Sequence, residues 1–249
     1  LGVPIQWNST TLMHIFTHQY PLPEQSLFQG ISSLPPGHQL VYQQNQVNIQ
    51  SYWEISFSPQ RKGSTEELQA LLAKAVQRRL RAACKRAVYL SGGIDSASIL
   101  ALSTKYTPKP LDSYTVQFSV SEYDESDLAS KIAKHFGSKH HIVPVTQEDI
   151  IANLEDAVWY GESFAINGQL PAKYILSKRV QSDGVKVILS GEGADEALLG
   201  YPHLKQDWIM HYGMNHTQHQ LNQENKKTRG IFGQYWLIRF QNDCPVGGS

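Results

Sequence analysis

The chain contains 249 residues, 41% of them hydrophobic and 10% aromatic, and its 22 basic residues balance 22 acidic ones to a formal charge of zero. This length is enough for one large domain with a substantial core, and the composition excludes a disordered chain. A neutral chain has no basic field that would gather nucleic acid or an anionic membrane surface, so we expect neither partner. Any anionic ligand must therefore be held by a local site.

Cys84 and Cys244 are the only cysteines, too few for a disulfide framework or for a zinc site built from cysteines. The apolar runs fall far short of the roughly 20 residues that a membrane-spanning helix needs. Residues 1–20 lack the basic start and apolar stretch of a signal peptide. The sequence therefore predicts a soluble, cytoplasmic protein.

Residues 1–60 contain six prolines, short extended pieces at 39–42 and 52–57, and no long helical period. We interpret them as a looped segment that precedes the main domain. Ser64 and Glu67 then have the spacing of a capping box, and the apolar residues that follow them at helical spacing predict an amphipathic helix.

The chain between residues 87 and 189 alternates strands with helices. We expect strands at 87–90, 113–118, 141–145 and 185–189, and helices at 96–105, 126–136, 147–160 and 171–181. This alternation predicts an α/β fold, a Rossmann-like parallel sheet with helices on both faces. Ligands of such sheets bind beyond the carboxyl ends of the strands, which places the candidate site at the loops after Leu90, Phe118 and Leu189.

The first candidate loop follows the first of these strands. It consists of Ser91, Gly92, Gly93, Ile94, Asp95 and Ser96. Its glycines allow a close backbone approach to an anion, and its hydroxyls and the N–H groups at the helix start predict a phosphate-binding site. Asp95 beside a phosphate suggests an intervening Mg²⁺. The alternative is an ordinary strand-to-helix turn in which Asp95 or Ser96 caps the helix.

The second candidate loop follows the last strand and consists of Ser190, Gly191, Glu192, Gly193, Ala194, Asp195 and Glu196. Three carboxylates within five positions repel one another unless a cation relieves them. If both loops lie at one sheet edge, Asp95 and Asp195 can share a Mg²⁺ with nucleotide phosphates. Glu192 is then left for acid–base work or for stabilising a transition state. Taken alone, this loop is equally compatible with an acidic helix cap.

The residues 91–96 loop resembles the pyrophosphate-binding loop of the N-type ATP pyrophosphatases, which have a HUP-type fold. The residues 190–196 loop, together with Gly200 and Tyr201, resembles the asparagine synthetase branch of these enzymes. Shorter similar stretches bring the resemblance to about residues 16–201. It divides the chain into an interdomain-type segment, residues 1–60, and a synthetase domain, residues 61–249, that is truncated at its C-terminal end.

The resemblance implies an ATP- and Mg²⁺-dependent ligase that adenylates a carboxylate, with aspartate as the expected substrate, and releases pyrophosphate. Ammonia then attacks to give asparagine and AMP. It implies that the ATP-binding positions are Leu90, Ser91, Gly92, Gly93, Asp95, Ser96, Val116, Ser190 and Gly191, that Asp95 and Asp195 bind Mg²⁺, and that Glu192 assists the attack of ammonia.

The sequence also departs from the family's pattern. Residue 1 is Leu, whereas glutamine-using members begin with a catalytic Cys of a glutaminase domain. We therefore expect a fragment, a glutaminase supplied by another chain, or a nucleophile other than ammonia. Residues 167–173 lack the small hydroxyl residues expected of an aspartate site, and no downstream Lys matches the family's pyrophosphate-binding Lys. Two alternatives follow: a tailoring amidotransferase or cyclase resembling β-lactam synthetase or lasso-peptide cyclases, and a non-catalytic nucleotide-binding module.

Overall fold

A computed structural model of the chain describes residues 4–55, 63–108, 110–198, 200–202 and 204. Its helices are α1 (Ser9–His18), α2 (Thr65–Arg79), α3 (Ile94–Lys105), α4 (Ser126–His135), α5 (Gln147–Ala152), α6 (Leu154–Gly161), α7 (Gln169–Ser182) and α8 (Ala194–Leu198), with a short 3₁₀ turn at Ser121–Tyr123. Its strands are β1 (His38–Gln43), β2 (Gln46–Ser51), β3 (Arg86–Tyr89), β4 (Asp112–Phe118), β5 (Lys139–Val145) and β6 (Val187–Leu189).

The central sheet has the order β5-β4-β3-β6, and all of its strand pairs are parallel. The chain builds outward from β3 to β4 and β5, and then returns so that β6 lies on the other side of β3. The connections therefore reverse direction beside β3. In an open α/β sheet this is the place where the loops separate and leave a crevice for a ligand.

Each face of the sheet is covered by helices, which confirms the predicted fold class. On one face Val88 packs with α2, α3 and α4, for instance with Leu100 and Ala129. On the other face its neighbour Ala87 packs with α7, through Ala172 and Leu176. Because successive side chains of a strand point to opposite faces, a strand buried on both sides contains no polar alternation.

The N-terminal segment contains more regular structure than the sequence predicts. Helix α1 was missed, although Asn8 caps it by accepting the Thr11 N–H at 3.2 Å. The second extended piece is also misplaced, because the strand that pairs with β1 spans residues 46–51. Gln44 and Asn45, both with positive φ, form the turn between the two strands. Residues 56 and 57 lie outside the described part of the chain, and the division at residue 60 stays a prediction.

The predicted helix over residues 147–160 is two helices. Thr146 and Asp149 form a capping box that begins α5, and Asn153 ends it with a backbone conformation outside the helical region. The same residue begins α6. The other predicted helices and strands are confirmed within about two residues of their bounds. Within the described residues no helix combines the length and the apolar character that crossing a membrane requires.

Candidate active site

The loop between β3 and α3 is held closed by its two serines. Ser96 Oγ accepts the Ser91 N–H at 3.0 Å and lies 2.9 Å from Ser91 Oγ, and Ser91 Oγ accepts the Gly93 N–H at 3.1 Å. Both hydroxyls are therefore bonded within the loop, and both serines line the cleft described below. The N–H groups of residues 94–96 have no acceptor among the described residues. These are the groups at the start of α3 that can bind an anion.

Glu125 contacts this loop from the segment that follows β4. Its Oε2 accepts the Gly92 N–H at 2.9 Å. A carboxylate therefore occupies one of the anion-accepting positions of the loop. Sequence reasoning missed this contact, because Glu125 lies 33 residues from Gly92 and has no motif that connects it to a glycine loop.

The backbone at the carboxyl ends of β3 and β4 is arranged to leave one strand edge open. The Leu90 N–H donates to the Tyr114 carbonyl at 2.9 Å, and the Leu90 carbonyl accepts the Thr115 hydroxyl. In a parallel strand alternate residues direct both backbone groups to the same neighbour. The groups of Val116, two residues after Tyr114, therefore face the side on which β3 has already ended. They are free to pair with a planar ligand edge.

The loop after β6 contacts the first loop directly through Gly191. A Cβ built on Gly191 would lie 2.8 Å from the Asp95 backbone carbon, the Asp95 Cβ and the Ser96 nitrogen. Real Cβ atoms do not approach backbone this closely, so only glycine allows the two loops to pack in this way. The structure thus brings together the two motifs that lie about a hundred residues apart in the sequence, as their placement after parallel strands predicts.

The two loops and the segment after β4 line one cleft of about 390 Å³ at the carboxyl edge of the sheet. Of the predicted site residues it is lined by Leu90, Ser91, Asp95, Ser96, Val116, Ser190, Gly191, Glu192 and Asp195. Gly92 and Gly93 belong to the same loop and do not line it. The residues that sequence reasoning did not assign include Thr115, Tyr123, Glu125, Gln169, Lys173, Glu196 and Tyr201.

The cleft is strongly acidic. Five carboxylates line it, those of Asp95, Glu125, Glu192, Asp195 and Glu196. The charge of Glu196 is the largest cause that raises the pKa of Tyr201, and burial and the charges of Asp195 and Glu192 add to it. This direction is expected where negative charge accumulates, because it disfavours a further anion. A phosphate ligand therefore requires a cation in the cleft.

Asp95 and Asp195 have the properties of Mg²⁺ ligands. Both are half-buried and line the cleft. Among the described residues, no hydrogen bond or ion pair occupies either carboxylate. A Cβ on Gly200 would lie 1.8 Å from Asp195 Oδ1, so Gly200 leaves the space that this carboxylate fills. No group of three or more acidic, His or Cys residues in the described part of the chain could hold a metal alone. Two carboxylates fit an ion that takes its remaining ligands from phosphate and water.

Glu192 forms an ion pair that the sequence did not reveal. Lys173 Nζ, on α7, lies 2.5 Å from Glu192 Oε1. Both side chains are largely exposed, at 52% for Lys173 and 66% for Glu192. Lys173 is also the only Lys, Arg or His among the described residues that line the cleft. The predicted catalytic carboxylate is therefore paired with the one cationic side chain that the described lining of the cleft contains.

Comparison with protein families matches the part of the chain that contains both loops. Residues 67–243 match the family model described as asparagine synthase, a range that contains both loops and covers more than half of the chain. The chain belongs to the asparagine synthase family.

The relatives that this chain resembles have different names. Amidase chry2 of Gibberella zeae is 32% identical over 206 residues, which cover 73% of this chain and 30% of that protein. Amidase chyE of Penicillium rubens is 28% identical over 94% of this chain and 39% of its own length. Asparagine synthetase (glutamine-hydrolyzing) 3 of Bacillus subtilis is 28% identical, with 72% of this chain and 32% of that protein covered. The chain thus spans less than two fifths of the length of these relatives.

Among solved structures, the NH3-dependent NAD synthetase of Campylobacter jejuni matches with a TM-score of 0.38 and 17% sequence identity, over 55% of this chain and 60% of that chain.

Proposed function

We propose that this chain forms the ATP-pyrophosphatase part of an ATP- and Mg²⁺-dependent amide-forming ligase. The contact between the β3 and β6 loops carries the proposal, because Gly191 packs against Asp95 and Ser96 and so joins a phosphate-type loop to an acidic loop at one cleft. Family membership supports the same reaction type. A carboxylate oxygen of the acceptor attacks the α-phosphorus of ATP, pyrophosphate leaves, and an amine nitrogen then displaces AMP.

The cleft offers groups for each part of the nucleotide. The open backbone of Val116 and the second lone pair of the Leu90 carbonyl can bind the adenosine part, while the N–H groups of residues 94–96 would bind the phosphates. Ser190 and Gly191 line the opposite side of the cleft and would also contact the nucleotide. Asp95 and Asp195 would hold Mg²⁺, which supplies charge neutralisation for the phosphates and the departing pyrophosphate.

Glu192 would act in the second half-reaction. When ammonia attacks an acyl group it becomes positively charged at nitrogen and must lose a proton. An exposed carboxylate at the cleft stabilises that charge and accepts the proton. Glu192 extends from the loop that also carries Asp195, so the metal site and the proton acceptor are fixed to the same backbone.

The test is pyrophosphate release by the full-length protein with ATP, Mg²⁺, an ammonium salt and a panel of carboxylates that begins with aspartate. We expect release that depends on one acceptor and on Mg²⁺, together with formation of AMP and an amide. Absence of ATP binding, together with absence of pyrophosphate release across the panel, contradicts the proposal and favours a nucleotide-binding module without catalysis.

A second candidate is a tailoring amidase of the same adenylating type that acts on a different carboxylic acid. Two relatives that share over 70% of this chain are named amidases, which favours this reading. Residues 167–173 supply Gln169 and Lys173 to the cleft where small hydroxyl residues were expected for an aspartate site. Turnover with a non-amino-acid carboxylate and none with aspartate would identify this second activity.

A further inference from the structure

The carboxylates of the cleft repel an acceptor that itself carries a carboxylate. The phosphates of ATP can use the helix N-terminus and the cation of Asp95 and Asp195. An acceptor carboxylate that approaches the same cleft meets five carboxylates and has no such partner. Like charges at close range repel strongly where water is partly excluded. Lys173 is the one described side chain of the cleft that can offset this repulsion.

Lys173 lies on a helix that packs on the sheet, and its side chain is about half exposed. Its helix α7 is anchored in the core by two buried residues, Ala172, which directly precedes Lys173, and Leu176, which follows it by about one turn. The Ser177 hydroxyl donates to the Lys173 carbonyl at 2.7 Å. The ammonium group itself is half exposed, and its only described partner is Glu192. Exposed ion pairs of this kind contribute little stability, so an incoming anion can replace one partner at low cost.

We infer that Lys173 is a substrate-binding residue that exchanges Glu192 for the carboxylate of the acceptor. This inference rests on the proposed function, since it names the cation that the acceptor of that reaction uses. Before the acceptor binds, Lys173 neutralises Glu192. When the acceptor carboxylate binds, its oxygens take over the ammonium group, which orients the attacking oxygen and frees Glu192.

The exchange of partners at Lys173 makes acceptor binding precede proton transfer to Glu192. A C–N bond forms when ammonia attacks the acyl-adenylate, the C–O bond to AMP breaks, and the nitrogen loses one proton. After adenylation the carbonyl oxygen of the acyl group keeps the hydrogen bond from Lys173, so Glu192 stays unpaired and is the group that receives this proton. The same lysine therefore couples the arrival of the acceptor to the availability of the base.

The decisive experiment compares Lys173→Met and Lys173→Arg in the full-length protein, with Lys178→Met as the control. Lys178 lies on the same helix, its ammonium group contacts the Tyr174 ring, and it does not line the cleft. For Lys173→Met we expect the KM for the acceptor to rise about tenfold or more. The dissociation constant of ATP with Mg²⁺, measured without acceptor, should change less than about twofold, which corresponds to a small difference in binding free energy. Lys173→Arg should recover part of the acceptor KM, and Lys178→Met should leave both constants unchanged.

Each other outcome has a distinct meaning. Weakened ATP binding in Lys173→Met with an unchanged acceptor KM assigns the lysine to the phosphates and overturns the inference. An unchanged acceptor KM with normal ATP binding overturns it as well. Thermal unfolding of each variant checks that the fold is retained. If the wild-type protein itself releases no pyrophosphate with any carboxylate, the proposed function fails, and this is distinguished from a failure of Lys173 alone because the wild-type measurement comes first.

Discussion

Replacing Gly191 by alanine tests whether the two loops touch as the structure describes. The added Cβ would lie 2.8 Å from the Asp95 backbone carbon and from the Ser96 nitrogen, and neither atom belongs to a flexible side-chain end. The backbone of Gly191 has no positive φ, so alanine is acceptable in conformation and the effect is steric. Overpacking of this kind costs about 1–3 kcal/mol of folding free energy. Because the strain pushes the residues 91–96 loop and the residues 190–196 loop apart, ATP affinity should fall by about tenfold or more.

The assay has two readouts and an internal control. Urea unfolding measures the free energy, and ATP titration in the presence of Mg²⁺ measures the affinity. Gly63→Ala is the matched control, because a Cβ there has no atom within 4 Å. It should be neutral or slightly stabilising, since alanine restricts the unfolded chain. If Gly191→Ala behaves like Gly63→Ala in both readouts, the contact between the loops is not as described and the proposed site loses its main support.

Three further changes test other parts of the site and the sheet. Asp95→Asn should weaken Mg²⁺-dependent ATP binding about tenfold, measured by ATP titration at several Mg²⁺ concentrations, and an unchanged Mg²⁺ dependence would argue against the metal site. Glu125→Gln should strengthen ATP binding by a few fold in the same titration, because it removes a charge that competes with phosphate for the Gly92 N–H; weaker binding would mean that Glu125 assists the nucleotide. Burial, with a smaller contribution from the charge of His141, lowers the pKa of His140, so the unfolded chain takes up a proton below about pH 6.5 before the folded one does. As the pH falls from about 6.5 towards the lowered pKa, the stability of the wild-type protein should therefore decrease more steeply than that of His140→Asn. Urea unfolding midpoints at about pH 7, 6 and 5 measure this difference, and parallel curves for the two proteins would contradict the assignment.

The parts of the fold that could be predicted are those that local sequence determines. Strands β3 and β6 contain short apolar runs, residues 87–89 and 187–189, which are visible in a few adjacent residues. Helix α1 was missed because only Thr11 and Ile15 are buried, and two residues at helical spacing do not distinguish a helix from a loop. The turn at Gln44 and Asn45 was missed because it contains no glycine, the usual residue for positive φ.

The candidate site divides in the same way. The glycines and carboxylates of the two loops could be predicted because each motif is contiguous and lies at the end of a strand. The partners of these loops could not. Lys173 is 19 residues from Glu192, and a helix and a strand separate them. Such pairs depend on how α7 packs on the sheet, which no short pattern encodes.

The neutral charge of the chain conceals a separation of charge along the sheet. At the amino end of β4, Asp112 lies between His141, at 2.7 Å, and Lys85, at 3.3 Å. Burial alone would raise the pKa of Asp112, but the hydrogen bonds from His141 and Lys85 outweigh it and leave this pKa below its usual value. At the opposite edge, the described residues that line the cleft include five carboxylates and one lysine. In the described part of the chain the cleft therefore carries an excess of negative charge, and under the proposed function a divalent cation would offset the repulsion of ATP. Neutrality of the whole chain is therefore compatible with the proposed phosphate binding, which we expect to depend on Mg²⁺.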